Sequence, residues 1–167
     1  KKSLETESFN RLTAVREMKA SQIEDYFRII ENQIVSYSLD YTVIDAMKSF
    51  KKDFYTSSSQ YELLKNNDSL DKISNQEYYD NEFIKRLNAN SIEQYSSEDF
   101  LVKNKEGALL QNIFISNNPN PVGEKHNLTL IKDSIDYAKS HAEFHPLFKD
   151  FLTRFGYYDI FLIDNIT

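Results

Sequence analysis

Cysteine is absent from this chain, which excludes disulfides, thiolate nucleophiles and cysteinyl metal sites together. That absence is compatible with the cytosol and with a bacterial extracytoplasmic space, and separates neither. Glycine and proline are scarce, three of each. All-β sandwiches and barrels need many tight turns, so the scarcity argues for long helices. Glycines at 107, 123 and 156 cannot supply the fixed spacings of a phosphate loop, a dinucleotide fingerprint or a hydrolase nucleophile elbow. No apolar run approaches the ~20 residues of a membrane span, and none reads as a signal-peptide core. Positive charge is short as well: 20 basic residues stand against 26 acidic ones, for a net −6. The densest basic clusters, Lys1-Lys2 and Lys48 to Lys52, are brief and sit among acids, which argues against nucleic acid as a partner.

What is present is apolar and aromatic. Of 167 residues 40% are hydrophobic, with 12 Phe and 11 Tyr, enough to bury a core and to exclude intrinsic disorder. The length is that of one ordinary domain. The first residue is Lys, so the sequence reads as a piece of a longer protein.

The periodicity predicts one long helix from about Leu4 to Tyr37. Phe9, Leu12, Val15, Ile23, Phe27, Ile30 and Ile34 recur at three- and four-residue steps or their multiples, with no Gly or Pro to stop the helix. A helix of ~30 residues reaches about 45 Å, more than a core of this size needs. A core helix of a bundle and a dimerising stalk both remain open for it. Asp40 is placed to cap a second helix, Tyr41 to about Tyr55, with Lys48, Lys51 and Lys52 near its end and a polar hinge at 56–59. A short helix is expected around Tyr61 to Leu64, and Asn75 is expected to cap another from Gln76 to about Asn88.

Later segments carry the turn signals. Two prolines and a glycine fall within the five residues 119–123. Asp133 or Ser134 is expected to cap a helix to about Glu143. Pro146 is expected to open a further helix, with Phe148, Phe151, Leu152 and Phe155 on its apolar face and Gly156 closing it. The apolar run from Tyr157 to Asp164 predicts a strand with both faces covered, and only Phe100–Val102 and Ile113–Ile115 offer themselves as partners.

Two clusters carry candidate chemistry. His141 and His145 stand four apart, a spacing that on an unbroken helix suits a metal; Pro146 is expected to break that helix, so structural or solvent-facing histidines are the favoured reading. Glu124-Lys125-His126, on the loop after the prolines, suits either a small polar ligand or a buried ion pair that pins the loop, with the pinning role favoured. No metal, cofactor or catalytic residue is assigned.

Several stretches resemble one family. Leu12 to Lys19, with Gln22 to Phe27 after it, resembles the start of the periplasmic region of bacterial transmembrane receptors, the methyl-accepting chemotaxis proteins and related cyclase or kinase sensors. Asn118-Pro-Asn-Pro-Val-Gly-Glu-Lys-His126 resembles a loop of that family. His145 to Phe148 and Arg154 to Asp164 resemble the segment that enters its PAS-like (Cache) fold. The resemblance implies a mainly α chain: a helical sensor or stalk region over 1–156, with the long helix in an antiparallel bundle, then the first strand of a truncated PAS-like α/β sheet over 157–167. It implies a non-enzymatic, extracytoplasmic sensor of an inner-membrane signalling receptor. The partners would be an unknown small-molecule ligand or periplasmic protein and a second copy of the receptor. Candidate ligand contacts are Asn118, Asn120, Lys125 and His126 on the loop, and Tyr157 and Tyr158 at the sheet entry. Amino-acid-binding members use an Arg-x-Trp motif; this chain has no Trp, so no amino-acid specificity carries over. The alternative from another class is a cytosolic helical adaptor or docking module that uses the same amphipathic face.

Overall fold

The computed structural model describes residues 2–64, 74–131 and 134–164. Among these the chain is helical and contains no strand. It divides into two compact units, Lys1–Asp45 and Ala46–Thr167.

The first unit is dominated by α1, Lys2–Ser38, 37 residues without Gly or Pro and so about 55 Å long. Ion pairs one turn apart, Glu7–Arg11 and Asp25–Arg28, both 2.6 Å, lie on its exposed surface and add only tenths of a kcal/mol each, on the order of 0.3–0.5. Its apolar residues are not covered: Phe9 is 70% exposed and Leu12 69%. The helix ends where Ser38 Oγ donates to the Val35 carbonyl and Asp40 N–H bonds back to Tyr37. Asp40 then caps α2, its carboxylate accepting from Thr42 N–H at 2.7 Å. That bond holds the Asp40 carboxyl below its usual range.

α2, Tyr41–Leu64, is longer than the sequence suggests. The expected hinge at 56–59 is helical. Thr56, Ser57 and Ser59 donate their hydroxyls to the carbonyls three residues back, so the helix itself satisfies them. The lysines at 48, 51 and 52 therefore sit inside the helix rather than at its end, and Tyr61–Leu64 form its last turn.

Ser74, one residue before the expected cap, accepts from Glu77 N–H and starts α3, Asn75–Tyr78. A π-helical stretch, Tyr79–Ile84, leads into α4, Lys85–Asn90. A 3₁₀ turn at Ser97–Asp99 precedes Phe100, whose ring packs on Phe83 and Tyr95. α5, Lys105–Gln111, is capped by Asn104 and continues into a second π-helical stretch, Asn112–Ser116. The strand partners considered at 100–102 and 113–115 are thus a turn and a helix. Gly107 is fixed by close approach, since a Cβ there would lie 2.6 Å from Val102 and 2.7 Å from the capping Asn104.

α6, Asp136–Phe155, is one 20-residue helix that runs through Pro146. The expected break does not occur, although an interior proline costs about 3 kcal/mol through its lost N–H and ring clash. Packing on both sides of it holds the helix. Phe50 of α2 meets Tyr137 and Phe144 before the proline, and Phe151, Phe155 and Tyr157 cluster after it. Ser134, one of the two expected caps, does not start this helix. Asp133 lies outside the described residues, and Ile135 occupies the cap position with no side-chain bond of its own. Gln60 of α2 caps α6 instead, accepting from Asp136 N–H at 2.8 Å while donating to its carboxylate at 2.7 Å. Asp53, buried, accepts from Ser140 Oγ at 2.6 Å and ties the same two helices again. Gly156 closes α6 in the left-handed region, with Tyr157 N–H reaching the Leu152 carbonyl, as the sequence leads one to expect.

Tyr157–Asp164 forms no strand. No strand among the described residues lies beside it, and one segment cannot satisfy a ladder alone. Its end is held by an ion pair between Asp164 and Lys51 at 2.9 Å. Residues 165–167, with which the resemblance extends this segment, lie outside the described residues.

Candidate functional site

A cavity of about 430 Å³ opens within the second unit, of the size that takes a small molecule. Each π-helical stretch brings side chains to it: Tyr79 from the first, Phe114 and Ile115 from the second, with Gln111 just before the second. A wide helical turn re-aims side chains that a regular helix would place elsewhere, and such turns recur at functional sites. α6 contributes Tyr137, His141 and His145, and the loop contributes Lys125, His126 and Leu128. All three histidines of the chain therefore line one cavity.

The loop is held by Asn118, which is buried. Its amide donates to the carbonyls of Phe114 and Lys125, both at 2.9 Å, and its oxygen accepts from the backbone and side chain of Asn120. Lys125 returns a bond from Nζ to the Asn118 carbonyl at 2.8 Å and lies 5.0 Å from the centre of the Tyr78 ring. Burial lowers its pKa, partly offset by Glu82. α6 grips the same loop through His145 Nε2 on the His126 carbonyl and Lys149 on Asn127, both at 2.7 Å.

His141 sits deepest of the three. Its ring stacks on His145 with centroids 4.4 Å apart and lies 4.6 Å from Phe114. Burial first, and the neighbouring His145 second, lower its pKa to about 4, against a backbone hydrogen bond to Thr129 that works the other way. Such a bond is one the ring donates to a carbonyl. Nδ1 is buried without a partner, and in the neutral tautomer that carries its proton on Nε2 it is an unused acceptor. Gln111 repeats the pattern: its Nε2 donates to Tyr79 Oη at 2.8 Å, and its buried Oε1 accepts from nothing.

Of the residues singled out from the sequence, Lys125 and His126 line the cavity. Asn118 and Asn120 build the loop behind it. Tyr157 and Tyr158 do not line it: Tyr157 packs on Phe151 and Phe155, and Tyr158 is 100% exposed. Glu124, the third member of the charged triplet, is exposed and makes none of the ion pairs seen among the described residues. His141 and His145 do not straddle the expected break at Pro146: α6 is unbroken and stacks the two rings. Tyr79, Gln111, Phe114 and Tyr137 were not expected at a site; apolar periodicity reads such aromatics as core.

The lining residues include no carboxylate, hydroxymethyl or thiol group, so the cavity offers no nucleophile of those kinds and no carboxylate base. Among the described residues no group of three or more His, Cys, Asp or Glu is arranged to hold a metal ion. No helix among them is long and apolar enough to cross a membrane. Comparison with protein-family models, characterised proteins and solved structures finds no match.

Proposed function

We propose that this chain is the extracytoplasmic signal-sensing region of a bacterial transmembrane receptor of the chemotaxis type or a related signalling class, acting by binding rather than catalysis. The observation that carries the reading is α1. A 37-residue helix that leaves Leu4, Phe9, Leu12, Val15, Ile23, Phe27 and Ile34 exposed suits a relay rod paired with a second copy. The family-like stretches at Leu12–Phe27 and Asn118–His126 point the same way. The cavity on α5, α6 and the loop supplies a place for a small-molecule signal, and its lack of a carboxylate, hydroxymethyl or thiol group favours sensing over turnover. In this reading Tyr157–Asp164 is the first strand of a PAS-like (Cache) sheet, unpaired until the rest of that sheet stands beside it.

The chain has no cysteine, so single cysteines placed in turn from position 4 to position 34 are unique. In the membrane-embedded parent protein, oxidation should yield covalent dimers at positions three to four apart, and added signal molecules should change the pattern. Dimers that form without helical periodicity, or a pattern that no candidate signal ever alters, would sink the relay.

A further inference from the structure

The cavity's two unused polar atoms say what it takes. His141 Nδ1 and Gln111 Oε1 are both buried, both without a partner, and both residues line the same space; the oxygen is an acceptor, and so is the ring nitrogen when the neutral ring carries its proton on Nε2. A buried acceptor left empty costs on the order of 1–3 kcal/mol, so each favours an occupant that donates to it. Charge narrows the class further. No carboxylate lines the cavity, so a cation would enter without a counter-ion and would face the Lys125 ammonium. An anion would set its own lone pairs against both acceptors. The walls set the shape: the stacked His141–His145 pair, the Phe114 ring 4.6 Å from His141, and the rings of Tyr79 and Tyr137 present flat faces.

We propose that this cavity binds a small, neutral, flat molecule bearing two hydrogen-bond donors, one directed to His141 Nδ1 and one to Gln111 Oε1. A hydroxylated aromatic ring is the simplest member of that class. Under the receptor reading this molecule is the signal, and to that extent the inference rests on it. Binding itself does not, and is read without any dimer or membrane.

The test uses the full chain with its histidine rings ¹⁵N-labelled, titrated near neutral pH with catechol, resorcinol and hydroquinone. These place two hydroxyls at three separations, and their dimethyl ethers keep the shape without donors. At least one diol should bind saturably, shift the His141 Nδ1 resonance, and bind about tenfold or more tightly than its ether, one hydrogen bond's worth of affinity. Gln111→Met and His141→Phe, which keep bulk and remove one acceptor each, should each weaken the diol by about tenfold and leave the ether unchanged. Where His141→Phe fails to fold, the wild-type resonance and Gln111→Met decide. Equal binding of diol and ether, no saturable shift with any of the three diols, or undiminished affinity in Gln111→Met would each overturn the proposal. A chain that binds the diol but shows no signal-dependent crosslinking in the parent protein would keep this site and remove the receptor reading.

Discussion

Asn118 uses all four hydrogen-bonding positions of its side chain, two donated and two accepted. Removing the side chain takes a side-chain donor from two carbonyls, those of Phe114 and Lys125, and frees the loop that carries Lys125 and His126. Asn118→Ala should therefore cost about 2–3 kcal/mol in urea unfolding. Asn118→Asp should cost at least as much at neutral pH, because it replaces both donors with a carboxylate facing those carbonyls. His141 makes a prediction of a different kind. Its folded pKa of about 4 lies below the 6.5 of an exposed histidine. Between those values the unfolded chain binds a proton that the folded one refuses, so stability from this group is whole above pH ~6.5 and falls as pH drops towards ~4. The loss is on the order of 2 kcal/mol, reduced from the full linkage because the ring is only partly buried. The titrating or charged groups around it are His145 on its own helix and Lys125 and His126 on the loop. Urea midpoints across that window should show the slope in the native chain and lose it in His141→Phe; an identical slope in both would place it elsewhere. The sequence displayed both residues but not these roles. A turn-rich stretch marks Asn118 as loop, and only the fold shows it buried.

At the scale of elements, the capping of α6 separates what sequence can carry from what it cannot. Asp40 was legible as a cap because its acceptor serves an amide two residues away. Gln60 was not, because the amide it serves belongs to Asp136, 76 residues on. Gln60→Ala should lower stability by about 1 kcal/mol, the usual worth of a cap, seen as a drop in thermal midpoint. Gln60→Glu retains the acceptor but faces the Asp136 carboxylate, so it should rescue little; full rescue would mean that the amide bond alone matters. Two misplaced boundaries share one physical cause. A serine run and an interior proline both weaken a helix locally, yet α2 and α6 continue through them because Phe50, Asp53 and Gln60 bind one helix to the other. Local propensity proposes an end, and tertiary packing overrides it. Gly156 shows the opposite case, where a left-handed φ of 68° leaves glycine the natural choice and the sequence suffices.

At the scale of the whole molecule, mainly helical architecture followed from the want of glycine and proline, and the extent of α1 from its unbroken periodicity. The terminal run did not become a strand, since a ladder needs a partner that apolar character cannot supply. The same reasoning governs α1. Its amphipathic stripe is written for a partner, yet among the described residues Phe9, Leu12 and their neighbours stay exposed. A helix in that condition is held mainly by its own hydrogen bonds and a few surface ion pairs. Amides in the first half of α1 should then open with a free energy of only about 1–2 kcal/mol in dilute solution, while those of α6 approach the global value. Raising the protein concentration should slow exchange along α1 selectively, because pairing with a second copy covers the stripe, and should leave α6 unchanged. Hydrogen exchange followed by mass spectrometry at two concentrations separates the outcomes. Protection of α1 equal to that of α6 in the most dilute sample would mean that the helix needs no partner, and would remove the physical ground for reading it as a paired relay.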